Sequence, residues 1–296
     1  MTVPTVAELL QSACAELERA EVFCGHGTDN YWDEAVYLLR HVCGWPVDVD
    51  RSVLQQPIER EPHQQFEQLL ARRIAKRIPA PYLTGEAWFC GMPFNVDERV
   101  IIPRSPIAQL ITAQFRPWLL QPPATVLDLC CGSGCIGIAT AAAVPSAEVV
   151  LSDLSDAALA VAASNIERHG LAERVKINCG DLFAGLQGQQ FELIVCNPPY
   201  VDAEDFATMP AEYRHEPTMA LVSGDDGLDF TRRLLQQAPD HLTEQGLLIC
   251  EVGNSAVALE EAFPDLALTW LVFEEGDGGV FVTDRDQLLA ERHRRA

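Results

Sequence analysis

From Thr125 onward, apolar runs of strand length alternate with runs at helical spacing, and this alternation narrows the possible folds of the chain more than any other feature. Candidate strands are Thr125–Cys130, Glu148–Asp153, Val175–Cys179, Phe191–Cys196, Gly246–Glu251, Leu266–Phe273 and Gly279–Thr283. Helical runs include Asp156–His169, Leu228–Leu242 and Ser255–Phe263. The pattern predicts an α/β fold with a doubly wound, mostly parallel sheet of seven strands, whose ligands sit at the strands' carboxyl ends. Asp128, Asp153, Asp181 and Asn197 all fall near such ends.

Residues 5–80 carry helical signals only. Val6, Leu9, Leu10, Ala13, Leu17 and Ala20 recur at helical spacing, as do Phe66, Leu69, Leu70, Ile74 and Ile78. Between them, Ala35, Val36, Leu38, Leu39 and Val42 end at Gly44-Trp45-Pro46, a helix stop. A small all-helical domain over 1–80 is expected. Pro79-Ala80-Pro81 breaks the last helix, and Trp88–Val96 followed by Val100–Ile102 predicts a β-hairpin linker over 81–104. The α/β domain takes 105–296.

With 296 residues, 48% of them hydrophobic, the chain can fill two cores. No apolar stretch approaches the roughly 20 residues that span a bilayer. The segment Met1-Thr-Val-Pro-Thr-Val-Ala-Glu8 lacks the basic and apolar regions of a signal peptide, so a cytoplasmic location is expected. The ten cysteines show neither framework spacing nor a Cys-x-x-Cys pair, and the seven histidines are scattered. They predict small buried hydrophobes and no metal site. A net charge of −22 opposes binding of free nucleic acid and suits a basic protein partner. The one dense basic cluster, Arg72-Arg73-Ile-Ala-Lys76-Arg77, predicts a solvated helical face.

Val126–Gly137 is a strand, a glycine-rich turn and a helix start. Gly132, Gly134 and Gly137 match the dinucleotide spacing G-x-G-x-x-G, so an NAD-dependent oxidoreductase is one reading. Asp128, just before the turn, favours another. Its charge opposes a pyrophosphate and suits S-adenosylmethionine, which carries a sulfonium and an ammonium. Asp153 ends the second strand, where a carboxylate accepts ribose hydroxyls of either cofactor. Asp181-Leu182 follows the third, placed to read an adenine amine and pack on its ring.

Asn197-Pro198-Pro199-Tyr200 follows the fourth strand directly. It resembles the tetrad of methyltransferases that act on planar nitrogens, whose lone pair is delocalised and poorly nucleophilic. The Asn197 carboxamide oxygen can accept one substrate N–H and the Pro198 carbonyl the other, while Tyr200 stacks on the flat group. A bare strand-ending turn is the plainer alternative.

From Pro79 to Thr283 the chain resembles the protein-glutamine methyltransferase family, the HemK-like class I enzymes with a Rossmann-like fold. Ile102-Pro103-Arg104 followed by Ser105-Pro106-Ile107, with Tyr82-Leu-Thr-Gly85, Glu212-Tyr-Arg-His-Glu-Pro217 and Ile249-Cys-Glu-Val-Gly-Asn254, is similar to the PrmB branch. Members of that branch methylate a glutamine amide in large-subunit ribosomal protein three. The resemblance implies that Cys130, Cys131, Gly132, Ser133 and Gly134 line the methionine part of the cofactor. It implies further that Asp153 holds ribose, Leu182 touches adenine, and Asn197 contacts cofactor and substrate. Pro198, Pro199 and Tyr200 would complete the substrate site with Arg104 and a lid of Glu212–Pro217, in which His215 positions the lid. Three positions depart from the family pattern: Cys130-Cys131 stands where Gly and Thr are frequent, and Gln109 replaces an acidic residue. The alternatives are glutamine methylation of a release factor, exocyclic-amine methylation of DNA or RNA, and an assembly factor retaining a vestigial cofactor fold.

Overall fold

A computed structural model describes residues 3–274 and 278–295. Met1 and Thr2 of the amino-terminal segment read above lie outside them, as do the outer ends of the ranges 1–80 and 105–296. The chain forms two compact units. One comprises the residues up to Ala87 together with Pro210–His215, and the other comprises Trp88–Met209 and the residues from Glu216.

The first unit is built from α1 (Val6–Arg19), α2 (Tyr31–Cys43), α3 (Arg60–Lys76) and the short α4 (Ala80–Thr84). Thr5 and Glu8 cap α1 reciprocally, the Thr5 N–H donating to Glu8 Oε2 at 2.8 Å. Gly44 ends α2 in the left-handed conformation, as the stop signal requires. One stripe of each helix is buried, with Leu17, Leu38 and Phe66 fully inside. Residues 81–87, read from sequence as linker, belong to this unit. Leu83 packs into the helical core, and the Tyr37 hydroxyl donates to the Glu86 carbonyl.

Arg73 corrects the expectation of a solvated basic face, since it is 1% exposed. Its Nε donates to Glu34 Oε1 at 2.6 Å, Nη1 to Glu212 Oε1 at 3.1 Å, and Nη2 to the Phe23 carbonyl at 2.7 Å. Glu34 and Glu212 are equally buried. The Phe23 N–H also donates to Glu212 at 3.1 Å. A guanidinium with several donors can serve two carboxylates and a carbonyl at once, which is how this charge is tolerated away from water.

Next in the chain is the hairpin β1 (Glu86–Phe89) and β2 (Met92–Asn95), and the second unit begins at Trp88 within β1. Cys90 and Gly91 between them both have positive φ, as a tight hairpin turn demands. Val100–Ile102 forms no strand. After α5 (Ile107–Thr112) come β3 (Thr125–Leu129), α6 (Cys135–Ala143), β4 (Glu148–Asp153), α7 (Asp156–Arg168), β5 (Val175–Cys179) and β6 (Phe191–Cys196). Then follow α8 (Ala203–Thr208), α9 (Asp229–Gln237), β7 (Leu242–Glu251), α10 (Ala256–Ala262), β8 (Thr269–Trp270), β9 (Val280–Asp284) and α11 (Arg285–Arg295).

The sheet has seven strands in the order β5-β4-β3-β6-β7-β9-β8. The first five are parallel, and β9 is antiparallel to both β7 and β8. Alternate residues enter different cores: Val126 and Val195 pack with α6 and α7, whereas Leu127 and Ile194 pack with α9 and α10. Two expected bounds shift for local reasons. The helix predicted through Leu242 stops at Gln237, because Pro239 lacks the N–H that would continue it, and Leu242 instead begins β7. Of the strand predicted over Leu266–Phe273, β8 keeps Thr269 and Trp270, and the Leu271 N–H still donates to the Val280 carbonyl at 2.9 Å. Leu266, Leu271 and Phe273 still bury their side chains.

Candidate active site

Chain order reverses between β3 and β6, and a crevice opens there beyond the carboxyl ends of the parallel strands. The crevice is partly open to solvent and has a cavity volume of about 170 Å³. Each parallel strand from β5 to β6 delivers a wall residue: Leu129 and Cys130 after β3, Ser152 and Asp153 on β4, Gly180, Asp181 and Leu182 after β5, and Asn197 and Pro199 after β6. Arg99, Val100, Ile101, Met219, Ala220, Phe230 and Arg233, none of them a site residue in the sequence reading, also line it, as does Pro217, the last residue of the expected lid.

Arg99 and Arg233 bring positive charge to the wall, but each is already paired, Arg99 with Asp97 and Arg233 with Asp181, both at 2.6 Å. The wall therefore offers little to a pyrophosphate.

Asp153 holds the glycine turn in shape. Its Oδ2 accepts the Gly132 N–H and its Oδ1 the Ser155 N–H, both at 2.9 Å. Each oxygen keeps a second lone pair for a ligand hydroxyl. Cys130 and Leu182 both adopt positive φ at strand ends, which turns the chain sharply around the crevice.

Asp128, expected on the cofactor, is not on the wall. It is 1% exposed beneath the turn, where Oδ2 accepts the Gly137 N–H at 2.7 Å and ties β3 to the start of α6. Its Oδ1 has no hydrogen-bond partner among the described residues. Burial pushes its carboxyl up to about 7. Gly137 permits this packing, since a Cβ there would lie 2.2 Å from a Leu151 methyl and 3.0 Å from Asp128. Cys131, Ser133 and Gly134 likewise form the inside of the turn; Cys131 and Ser133 are buried, and only Cys130 and Gly132 of the expected run reach the crevice.

Three expected substrate residues are engaged elsewhere. Glu212 belongs to the first unit, where its carboxylate is bound by Arg73. In the same unit, His215 Nε2 lies 2.8 Å from the Lys76 carbonyl. Arg104 forks onto Glu216, with both N···O distances 2.6 Å, and Glu216 also accepts the Ile102 N–H at 2.8 Å. A charge drawn into a bidentate pair is not a ready substrate contact.

Pro198 and Tyr200 do not line the crevice, although their neighbours Asn197 and Pro199 do. Tyr200 is anchored at its hydroxyl, which donates to Glu251 Oε1 at 2.9 Å. Glu251 Oε2 accepts the Ser105 hydroxyl at 2.6 Å. Burial outweighs these bonds and pushes the Glu251 carboxyl up to about 7, although the Ser105 and Tyr200 hydroxyls and the Arg104 charge oppose it. In an unfolded chain the same group ionises near its ordinary value of 4.5. Native-state stability from the neutral carboxyl is thus full below pH 4.5 and falls as pH rises toward about 7. Glu251→Gln cannot ionise. Thermal melts should show wild type losing ground to that variant by several degrees across this window; a constant difference would contradict the assignment.

A family model described as the methyltransferase small domain matches residues 112–212, and one described as the PrmC N-terminal domain matches residues 8–85. A ribosomal protein uL3 glutamine methyltransferase of Francisella tularensis subsp. tularensis is 45% identical over 287 residues, 96% of this chain and 91% of that protein. Its namesake in Bordetella pertussis is 43% identical over 286 residues, 96% of both chains. The chain belongs to the uL3 glutamine methyltransferase family. Like other members of that family it is an enzyme, a protein-glutamine methyltransferase. A solved human methyltransferase 10 domain containing protein is also similar, at TM-score 0.47 and 16% identity over 66% of this chain and 89% of that one. Among the described residues no helix is long and apolar enough to cross a membrane, and no cluster of side chains could hold a metal ion.

Proposed function

We infer that this chain methylates the side-chain amide nitrogen of a glutamine in large-subunit ribosomal protein uL3, with S-adenosylmethionine as donor. The observation that carries the reading is the position of Asn197: it directly follows β6 at the reversal of strand order and lines the same crevice as Asp153 and Leu182. The crevice suits the donor. Asp153 would take its ribose, Asp181 and Leu182 its adenine, and Cys130 and Gly132 its methionine portion. Charge supports the choice, because each crevice arginine is already paired with a carboxylate.

When bound, the donor supplies an electrophilic methyl on a sulfonium, which leaves as a neutral thioether. The protein must restore a lone pair to a conjugated amide nitrogen. The Asn197 oxygen and the Pro198 carbonyl, accepting one N–H each, draw the nitrogen toward tetrahedral geometry and aim it at the methyl carbon. Tyr200 fixes the plane of the amide. After transfer the nitrogen is cationic and loses its proton readily, so no dedicated base is required. His215, occupied at the Lys76 carbonyl, fits this account.

The amino-terminal helices are the proposed recognition element, and the cytoplasm, where ribosomal proteins are made, is the proposed location. Net charge of −22 favours a basic protein over free nucleic acid. Labelled methyl from S-adenosylmethionine should enter purified uL3, and not release factor or free RNA offered in parallel. Label in RNA or release factor alone would overturn the choice of substrate.

Cofactor binding has its own expected result. Asp153→Ala should weaken S-adenosylmethionine binding by about 10- to 100-fold in calorimetry, the worth of one or two charge-assisted hydrogen bonds. Unchanged affinity would remove Asp153 from the ribose site.

A further inference from the structure

We propose that Glu251 is a positioning residue for methyl transfer, acting through the Tyr200 hydroxyl to hold the aromatic wall of the tetrad. The inference rests on the reading that the tetrad holds a planar amide.

Tyr200 is restrained at both ends. Its N–H donates to the Leu221 carbonyl at 3.1 Å, and its carbonyl accepts the Ser255 hydroxyl at 2.8 Å. These bonds fix the backbone but leave two side-chain torsions free. Gly253 lies against one face of the ring, where a Cβ would come within 2.5 Å of Cε2, so the ring can lie flat on the backbone there. The hydroxyl bond to Glu251 holds the far end of the ring.

Glu251 is a well-founded anchor. It ends β7, a central strand paired to both β6 and β9, one residue beyond Cys250, the register partner of Cys196. The residue that carries the anchor therefore runs beside the residue that opens the tetrad. Its second oxygen is fixed by Ser105, whose own oxygen accepts the Ile107 N–H at 3.2 Å and so directs its proton toward Glu251.

A carboxyl group 4% exposed, bonded to two neutral hydroxyls, is costly for a core position. Packing alone would favour an apolar residue of that size. What the carboxyl adds is a pair of acceptors, one of which terminates on the tetrad.

The test is a double-mutant cycle on the full chain, with Glu251→Ala, Tyr200→Phe and the double variant, and with Glu251→Gln as the conservative replacement. For each, kcat and KM with uL3 and the dissociation constant of S-adenosylmethionine are measured. Glu251→Ala and Tyr200→Phe should each lower kcat about 10- to 100-fold, as a displaced positioning group does. Cofactor affinity should stay near wild type, because neither residue lines the crevice. In the Tyr200→Phe background, Glu251→Ala should add less than about twofold, as expected of residues that act as one unit. Glu251→Gln should recover most of the turnover, its carboxamide oxygen accepting from Tyr200. Multiplying losses, or a Gln variant as slow as the Ala variant, would overturn the inference, and so would cofactor affinity falling in step with kcat. Should Glu251→Ala fail to fold, Glu251→Gln and Tyr200→Phe alone decide it: the first should be active and the second slow. Absence of turnover in wild type would instead refute the reading of the tetrad, and the inference with it.

Discussion

Replacing Asn197 by alanine is expected to lower the turnover of methyl transfer by about 10²- to 10³-fold, the usual effect of removing one preorganised hydrogen-bonding group from a transition state. Cofactor affinity should change far less, because Asn197 is one wall residue among many while Asp153 and Leu182 remain. The split has a physical origin. A ground-state amide nitrogen is planar, and only the attacking form, pulled out of plane, uses the carboxamide oxygen fully. Single-turnover rates together with calorimetric cofactor binding would show the separation. Near-normal turnover in the variant would refute the tetrad mechanism, and loss of both properties would make Asn197 chiefly a cofactor contact.

The second large effect concerns stability. Arg73→Ala should destabilise the amino-terminal unit by about 3–5 kcal/mol, since it strands Glu34 as a buried carboxylate and leaves Glu212 to the more distant Arg77, at 3.7 Å. It also removes one link between α3 and Pro210–His215, a segment 139 positions away from Arg73 at Glu212, while the His215 contact with the Lys76 carbonyl remains. Urea unfolding followed by hydrogen exchange on that segment would register both losses. Adding Glu34→Gln and Glu212→Gln to Arg73→Met should recover part of the deficit, because it removes the stranded charges along with the cation. A change below about 1 kcal/mol for Arg73→Ala would place the network among weak, solvent-screened pairs.

Legibility in the sequence followed the range of the interactions. The strands β3 to β6 and α7 were read nearly to the residue, because strand and helical patterns are local and β3 and β6 are buried on both faces. The end of α9 was missed although Pro239 announces it, since the apolar spacing continues past it into β7. Arg73 was misread because charge outweighed position: it follows Phe66 and Leu70 by the steps of a buried helical stripe, and that spacing was the available signal.

The crevice was legible where strand ends alone create it. Asp153, Asp181, Leu182 and Asn197 each end or follow a strand, and the sheet brings them together. Asp128 also ends a strand, yet the turn folds over it, a difference set by the Gly137 N–H that captures its carboxylate. Arg99–Ile101 and Pro217–Ala220 came from loops with no periodicity, and long-range packing alone places them. The pairings of Arg104 with Glu216 and of Tyr200 with Glu251 join residues far apart in sequence, so a single chain without structure gives no sign of them.

The most direct test of the account is tandem mass spectrometry of uL3 after reaction with this enzyme and S-adenosylmethionine. The account predicts one added methyl group, on the amide nitrogen of a single glutamine, absent when the enzyme carries Asn197→Ala. A methyl on a lysine, arginine or carboxylate oxygen, or a glutamine methyl that persists in the Asn197→Ala variant, would contradict it.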